Sequence, residues 1–281
     1  LSDRPLSLFN THSFSVTASA YLFVVHGSRA AIYQQALAAF MDQLRHHLTW
    51  TWALDSRSEA SPQHPTPASY LVELALLECT SQPLSGRILQ IAEQARMQSI
   101  PSVQIVPLFL LPGVHVMQDI PTAVQQAQQQ LSSPTIEVAP YLGAAAMLPQ
   151  WLQQRVAQVS AEARLVVAHG SRRSQGNQPV EALAQRLDAT VAYWAIQPSF
   201  ADQVERLYGQ GYRQIAVLPY ILFPGGMSQG LIEQSVQLTQ HLPQLQLTIL
   251  PCLAEEEGLV KVLLNQIGLL DRPRSTTVAG A

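Results

Sequence analysis

Two stretches of the sequence hold residues fit for chemistry, and both set a histidine just beyond an apolar run. The first is Leu22-Phe23-Val24-Val25-His26-Gly27-Ser28-Arg29. The second runs from Ile105 through Pro112-Gly113-Val114 to His115. Neutral imidazole at pH 7 ligates divalent ions such as Fe²⁺, Co²⁺, Ni²⁺ or Zn²⁺, and it also accepts a proton. Two histidines without a third ligand make an open, labile site, better suited to a metal in transit than to one in storage. Glu78, at the end of a further apolar run, is open to three roles: guide for a cation, base, or surface ion-pair partner. Ser28 beside His26 admits a hydrolase reading, but Gly-x-Ser-x-Gly and an evident acidic third member are missing. The other reading makes Ser28 the cap of a following helix, whose N–H groups form an anion site beside Arg29, a bidentate clamp for carboxylates.

Composition narrows the classes. Of the 16 basic residues all but Lys261 are arginine, so a phosphate-loop or Schiff-base lysine in the first half is excluded. The net charge of −3 supplies no basic field for nucleic acid. Cys79 and Cys252 stand alone, which removes a disulfide framework, a zinc ribbon and a thiolate-held cluster. No apolar run is long enough for a membrane helix, and residues 1–20 lack the pattern of a signal peptide. The expectation is a cytoplasmic protein with neither membrane nor nucleic acid among its partners.

The elements that carry the histidines occur twice. Leu165-Val166-Val167-Ala168-His169-Gly170-Ser171-Arg172 repeats the first stretch, and Val217-Leu218-Pro219 through Pro224-Gly225 repeats the second. Each copy reads as strand–helix four times. In the first copy these are a strand at 21–25, a helix at 30–47, a strand at 70–78 and a helix at 86–98. A strand near 105–108, a helix at 120–131 begun by Asp119, a strand at 136–142 and a helix at about 144–158 follow. In the second copy 191–197, 200–210, 247–253 and 255–267 correspond to the later elements. The first copy carries an insertion at about 48–69, with a short edge strand around Trp50 and Trp52 and a loop at 55–69. The tail 271–281 is expected to be disordered.

Such alternation predicts an α/β protein of two similar domains, 1–143 and 144–281. Each holds a four-stranded parallel sheet flanked by helices. The usual order sets strand one beside strand three and places ligands at the C-terminal edge where the winding reverses. That topology brings His26 and His115 together. In the second copy Met227 stands for His115 and Leu231 for Asp119, so His169 lacks that partner.

The pair Val-His-Gly-Ser-Arg and Pro-Leu-Phe-Leu-Leu-Pro-Gly-Val-His-Val-Met-Gln-Asp-Ile-Pro resembles the sirohydrochlorin chelatases, the class II chelatases that insert iron or cobalt. The resemblance covers about residues 20–270. It implies insertion of a divalent metal, with Fe²⁺ favoured over Co²⁺, into sirohydrochlorin for sirohaem synthesis. Neither ATP nor a permanently bound cofactor is needed, and one chain forms the two-domain cleft as a monomer. The family's metal-handling histidines fall on His26 and His115, and an acidic position falls on Glu78. Ser28, Arg29 and Gly113, with Ser171 and Arg172 of a non-catalytic second copy, are the expected contacts to the ring. A cobaltochelatase and a non-catalytic tetrapyrrole or metal carrier on the same fold are the alternatives.

Overall fold

A computed structural model describes residues 19–55, 70–173 and 175–269. Two parallel four-stranded sheets are present. The first is ordered β2-β1-β3-β4, from β1 (Ser19–Val25), β2 (Leu71–Leu76), β3 (Ser102–Pro107) and β4 (Thr135–Val138). The second repeats it as β6-β5-β7-β8, from β5 (Ala163–Ala168), β6 (Thr190–Tyr193), β7 (Gln214–Pro219) and β8 (Gln246–Ile249). The expected fold class, and strand one beside strand three, are both observed.

Side-chain alternation along the central strands sorts the molecule into layers. Ala20, Leu22 and Val24 face α2 (Leu84–Met97) and α3 (Ile120–Gln128) in one core. Leu165 and Val167 face α6 (Phe200–Gly209) and α7 (Gly226–His241) in another. The opposite faces share a single core. Tyr21, Phe23 and Val25 belong to it, as do Val166 and Ala168, with residues of α1 (Ala31–Asp55), α4 (Leu148–Ala157), α5 (Gln178–Arg186) and α8 (Glu257–Gln266).

The closing helices cross between halves. α8, at the end of the second repeat, lies against α1 and α4, while α4 also reaches α5. Arg155 of α4 is buried and donates to Pro251 O at 3.0 Å and to Glu256 at 3.1 Å. Burial lowers the pKa of its guanidinium, and Glu256 opposes that shift. Gln266 of α8 donates to Pro140 O and Tyr141 O.

Several local expectations are corrected. The edge strand around Trp50 and Trp52 is instead the last part of α1, which runs unbroken to Asp55. No glycine or proline interrupts 31–55, and Leu37, Phe40, Met41, Leu44 and Leu48 are all buried at helical spacing. The second strand stops at Leu76, before Glu78, and the fourth covers only Thr135–Val138. Helix α3 ends at Gln128, and Asp119 makes no cap for it. Most of the expected loop at 55–69 and the tail at 271–281 lie outside the described residues. Both cysteines are free; burial pushes the Cys252 thiol up to about 12.

Gly258 tests the helix exchange. A Cβ there would sit 2.1 Å from Nε1 of Trp151 on α4. The indole is rigid, so Gly258→Ala is expected to push α8 off α4 and cost about 1–3 kcal/mol. Thermal unfolding should show a Tm lowered by several degrees.

Candidate functional site

The site is built from three chain ends at the C-terminal edge of the first sheet. His26 directly follows β1, Glu78 comes two residues after β2, and the segment after β3 delivers His115. The ladder continues past the strands: Leu77 donates to Val25 O at 3.0 Å and Glu78 to His26 O at 2.8 Å. Gly27 must then turn the chain away at φ +97°, where a Cβ would come within 2.4 Å of Glu78 O. Glycine is required there on both counts. The Gly27 N–H donates to Tyr33 Oη at 3.3 Å, which ties the turn to α1.

Three ligand atoms converge. Glu78 Oε1 lies 3.5 Å from His26 Nε2 and 3.9 Å from His115 Nε2, and the three residues each offer a ligand atom within 4.8 Å of the others. Donors bound at ~2.1 Å around one ion stand about 3–3.4 Å apart, so a small inward movement closes the set on a metal. His26 and Glu78 are each about half exposed (51% and 52%), open to a hydrated ion. The two imidazoles meet nearly edge to face, with centroids 5.0 Å apart. This is the one such ligand group among the described residues.

Both histidines have their tautomer dictated from behind. His26 Nδ1 lies 3.1 Å from Gly27 O, and His115 Nδ1 lies 2.6 Å from Asp119 Oδ2. A carbonyl or carboxylate oxygen only accepts, so each Nδ1 is the donor, and in the neutral ring that leaves Nε2, on the Glu78 side, as the ligand atom. Asp119, expected from the sequence only to begin a helix, joins the candidate site through this contact. Its i, i+4 relation to His115 was the available signal.

Other expected residues sit nearby in different settings. Ser28 Oγ accepts from the Ala30 N–H at 3.2 Å, just ahead of α1. The hydrogen bonds of Ser28 Oγ and His26 Nδ1 run to Ala30 and Gly27 and not to each other, so the Ser28–His26 hydrolase arrangement is not formed. Arg29 and Gly113 are exposed. In the second half Ser171 is stitched into its loop: its N–H donates to Asn177 Oδ1, its carbonyl accepts from Asn177 Nδ2 and its hydroxyl accepts from the Arg173 N–H. Arg172 is exposed beside it.

The second half keeps the frame without the ligands. Trp194 donates to Ala168 O and Ala195 to His169 O, matching Leu77 and Glu78 in the first half. Ala195 therefore occupies the Glu78 position. The two edges meet at the junction of the halves, where Tyr220 Oη donates to Leu110 O at 3.3 Å and Tyr33 packs on Phe223 at 5.2 Å.

Comparison with known proteins agrees with this architecture. The profile of the CbiX family matches residues 20–159 and 163–268. The sirohydrochlorin ferrochelatase of Priestia megaterium is 24% identical over 264 residues, spanning 89% of this chain and 90% of that protein. That of Bacillus subtilis (strain 168) is 24% identical over 242 residues, spanning 82% and 84%. The structure of SirB from Bacillus subtilis with Fe³⁺ is 21% identical, with a TM-score of 0.67 over 89% of this chain and 94% of that one. A CbiX structure described as the terminal enzyme of sirohaem biosynthesis in denitrifying bacteria gives 0.58 at 18% identity, over 91% and 100%. With both repeats matched by one family profile, the chain belongs to the CbiX family.

Proposed function

We propose that the chain is a sirohydrochlorin chelatase that inserts Fe²⁺, in preference to Co²⁺, into sirohydrochlorin without ATP. The observation that carries this reading is the convergence of His26 Nε2, His115 Nε2 and Glu78 Oε1 at one exposed sheet edge. Two neutral nitrogens and one carboxylate bind a divalent ion while leaving coordination positions open. An ion held there sheds part of its water before it meets the ring. The ring must lose two pyrrole protons as the metal enters, and an imidazole or the Glu78 carboxylate within reach can accept them.

The substrate is a flat polycarboxylate. Arg29, Ser28 with the start of α1, and Gly113 are the contacts we assign on one side. Ser171 and Arg172 serve on the other, with the second half, residues 144–281, acting as wall rather than catalyst. The second half lacks the counterpart of Glu78, and Met227 cannot accept a proton. One chain supplies both sides, so a monomer suffices. The iron preference rests on the ferrochelatase relatives.

The direct test mixes the protein anaerobically with sirohydrochlorin and Fe²⁺ or Co²⁺ and follows the absorbance change. Acceleration with both ions and a higher rate with iron is the expected result. Binding of the ring without acceleration would identify a carrier instead. His26→Ala and His115→Ala should each lose at least ~100-fold, as for an essential base or ligand, whereas His169→Ala should stay within a few-fold of wild type. Equal loss at His169 would overturn the division of labour between the halves.

Gly27→Ala probes the frame rather than the ligands. Its Cβ would displace the Glu78 carbonyl and separate His26 from Glu78. A misplacement of ~1 Å can cost on the order of 100-fold. The assay should show a comparable loss while far-UV circular dichroism stays that of a folded α/β protein.

A further inference from the structure

We propose that Asp119 is the positioning residue of His115, presented by one extra residue that the second half lacks. This rests on the reading of His115 as a metal ligand. The two repeats correspond residue for residue from Pro107 and Pro219 to Gly113 and Gly225. In the helices that follow, Leu231, Ser235 and Leu238 are buried in one half at spacings matched by Ile120, Val124 and Ala127 in the other, where Ala123 is buried as well. His115 to Ile120 is five steps, whereas Met227 to Leu231 is four. The core partner of Leu231 is therefore Ile120, both fully buried, and not Asp119 as the motif alignment suggests.

The first half absorbs the extra residue as a π turn over His115–Asp119, closed by the Ile120 N–H on His115 O. The second half runs as plain α-helix from Gly226. A one-residue insertion of this kind is the usual origin of a π bulge, and such bulges gather at functional sites. Core register is the same on both sides of it, so packing gives no reason for its presence. What changes is the exposed rim, where the Asp119 carboxylate now stands 2.6 Å from His115 Nδ1. The residue before Leu231 is Gly230, where even a Cβ would meet the Trp194 ring at 2.3 Å. No acid fits there.

Asp119 fixes the ring rotation and tautomer of His115 and strengthens Nε2 as a donor. His26 has only its neighbour's carbonyl at 3.1 Å for this purpose. The test titrates Co²⁺ into wild type, His115→Ala, Asp119→Ala, Asp119→Asn and a Gln118 deletion, and measures insertion kinetics for each. Asp119→Ala should weaken Co²⁺ binding ~10–100-fold and lower kcat, with the KM for sirohydrochlorin unchanged. Asp119→Asn, which keeps an acceptor oxygen, should recover part of the loss. Deleting Gln118 restores the register of the second half and should lose as much as Asp119→Ala without a lower Tm. Wild-type Co²⁺ affinity in Asp119→Ala, or in a folded deletion variant, would overturn the proposal. Should His115→Ala itself bind Co²⁺ like wild type, the ligand reading fails instead; should the deletion not fold, the two Asp119 substitutions decide.

Discussion

The hydrogen-bond ladder on both sides of β1 is the constraint from which the site follows. β1 pairs in parallel with β2 and with β3, with Val25 opposite Leu76 and Val24 opposite Pro107. The pairing extends beyond the strands through Leu77, Glu78 and Leu108, which donate to Val25 O, His26 O and Val24 O. Parallel strands end at the same edge, so residues far apart in sequence leave the sheet side by side. The edge thereby gathers His26, Glu78 and His115 into one neighbourhood. They need Gly27 to clear the way and a turn after β3 to bring His115 back.

The same ladder exists in the second half, and there it gathers no group of three candidate ligands among the described residues. Ala195 takes the backbone position of Glu78 and Met227 that of His115, with identical hydrogen bonding at the strand ends. The frame therefore does not dictate which side chains stand at its three edge positions. Gly170 keeps its positive φ in that half, as Gly27 does in the first, because the sharp exit from the central strand is a property of the frame.

Much of this was legible in the residues. Unbroken apolar runs, an eight-residue near-repeat and the adjacency rule for parallel strands suffice to bring His26 and His115 together. Trp50 and Trp52 misled because alternate apolar residues over a few positions fit a strand as well as a helix end. The unbroken helical register upstream, from Leu37 to Leu48, was the better guide. Asp119 escaped for a different reason. Aligning the repeats by motif pairs it with Leu231, and only burial reveals that the helix is offset by one residue. Such an offset leaves no trace in composition or periodicity, because the apolar spacing downstream is regular in both halves.

Retention of a half without ligands has a physical reason in the shared core. Neither sheet covers its inner face with its own helices alone, since α8 lies on α1 and α4 reaches α5. Leu148, Leu152 and Val156 of α4 are all buried there, each worth ~1.5–3 kcal/mol against exposure. Parting the halves would expose that face, together with Arg155 and its bonds to Pro251 and Glu256. A first half standing alone would lose the helix that covers α1, whose first turns carry Tyr33 against Gly27 and Phe223. Tyr33 links the two roles: one contact steadies the His26 turn and the other belongs to the junction. The second half thus acts on the site through packing, by holding the helix from which the His26 turn hangs.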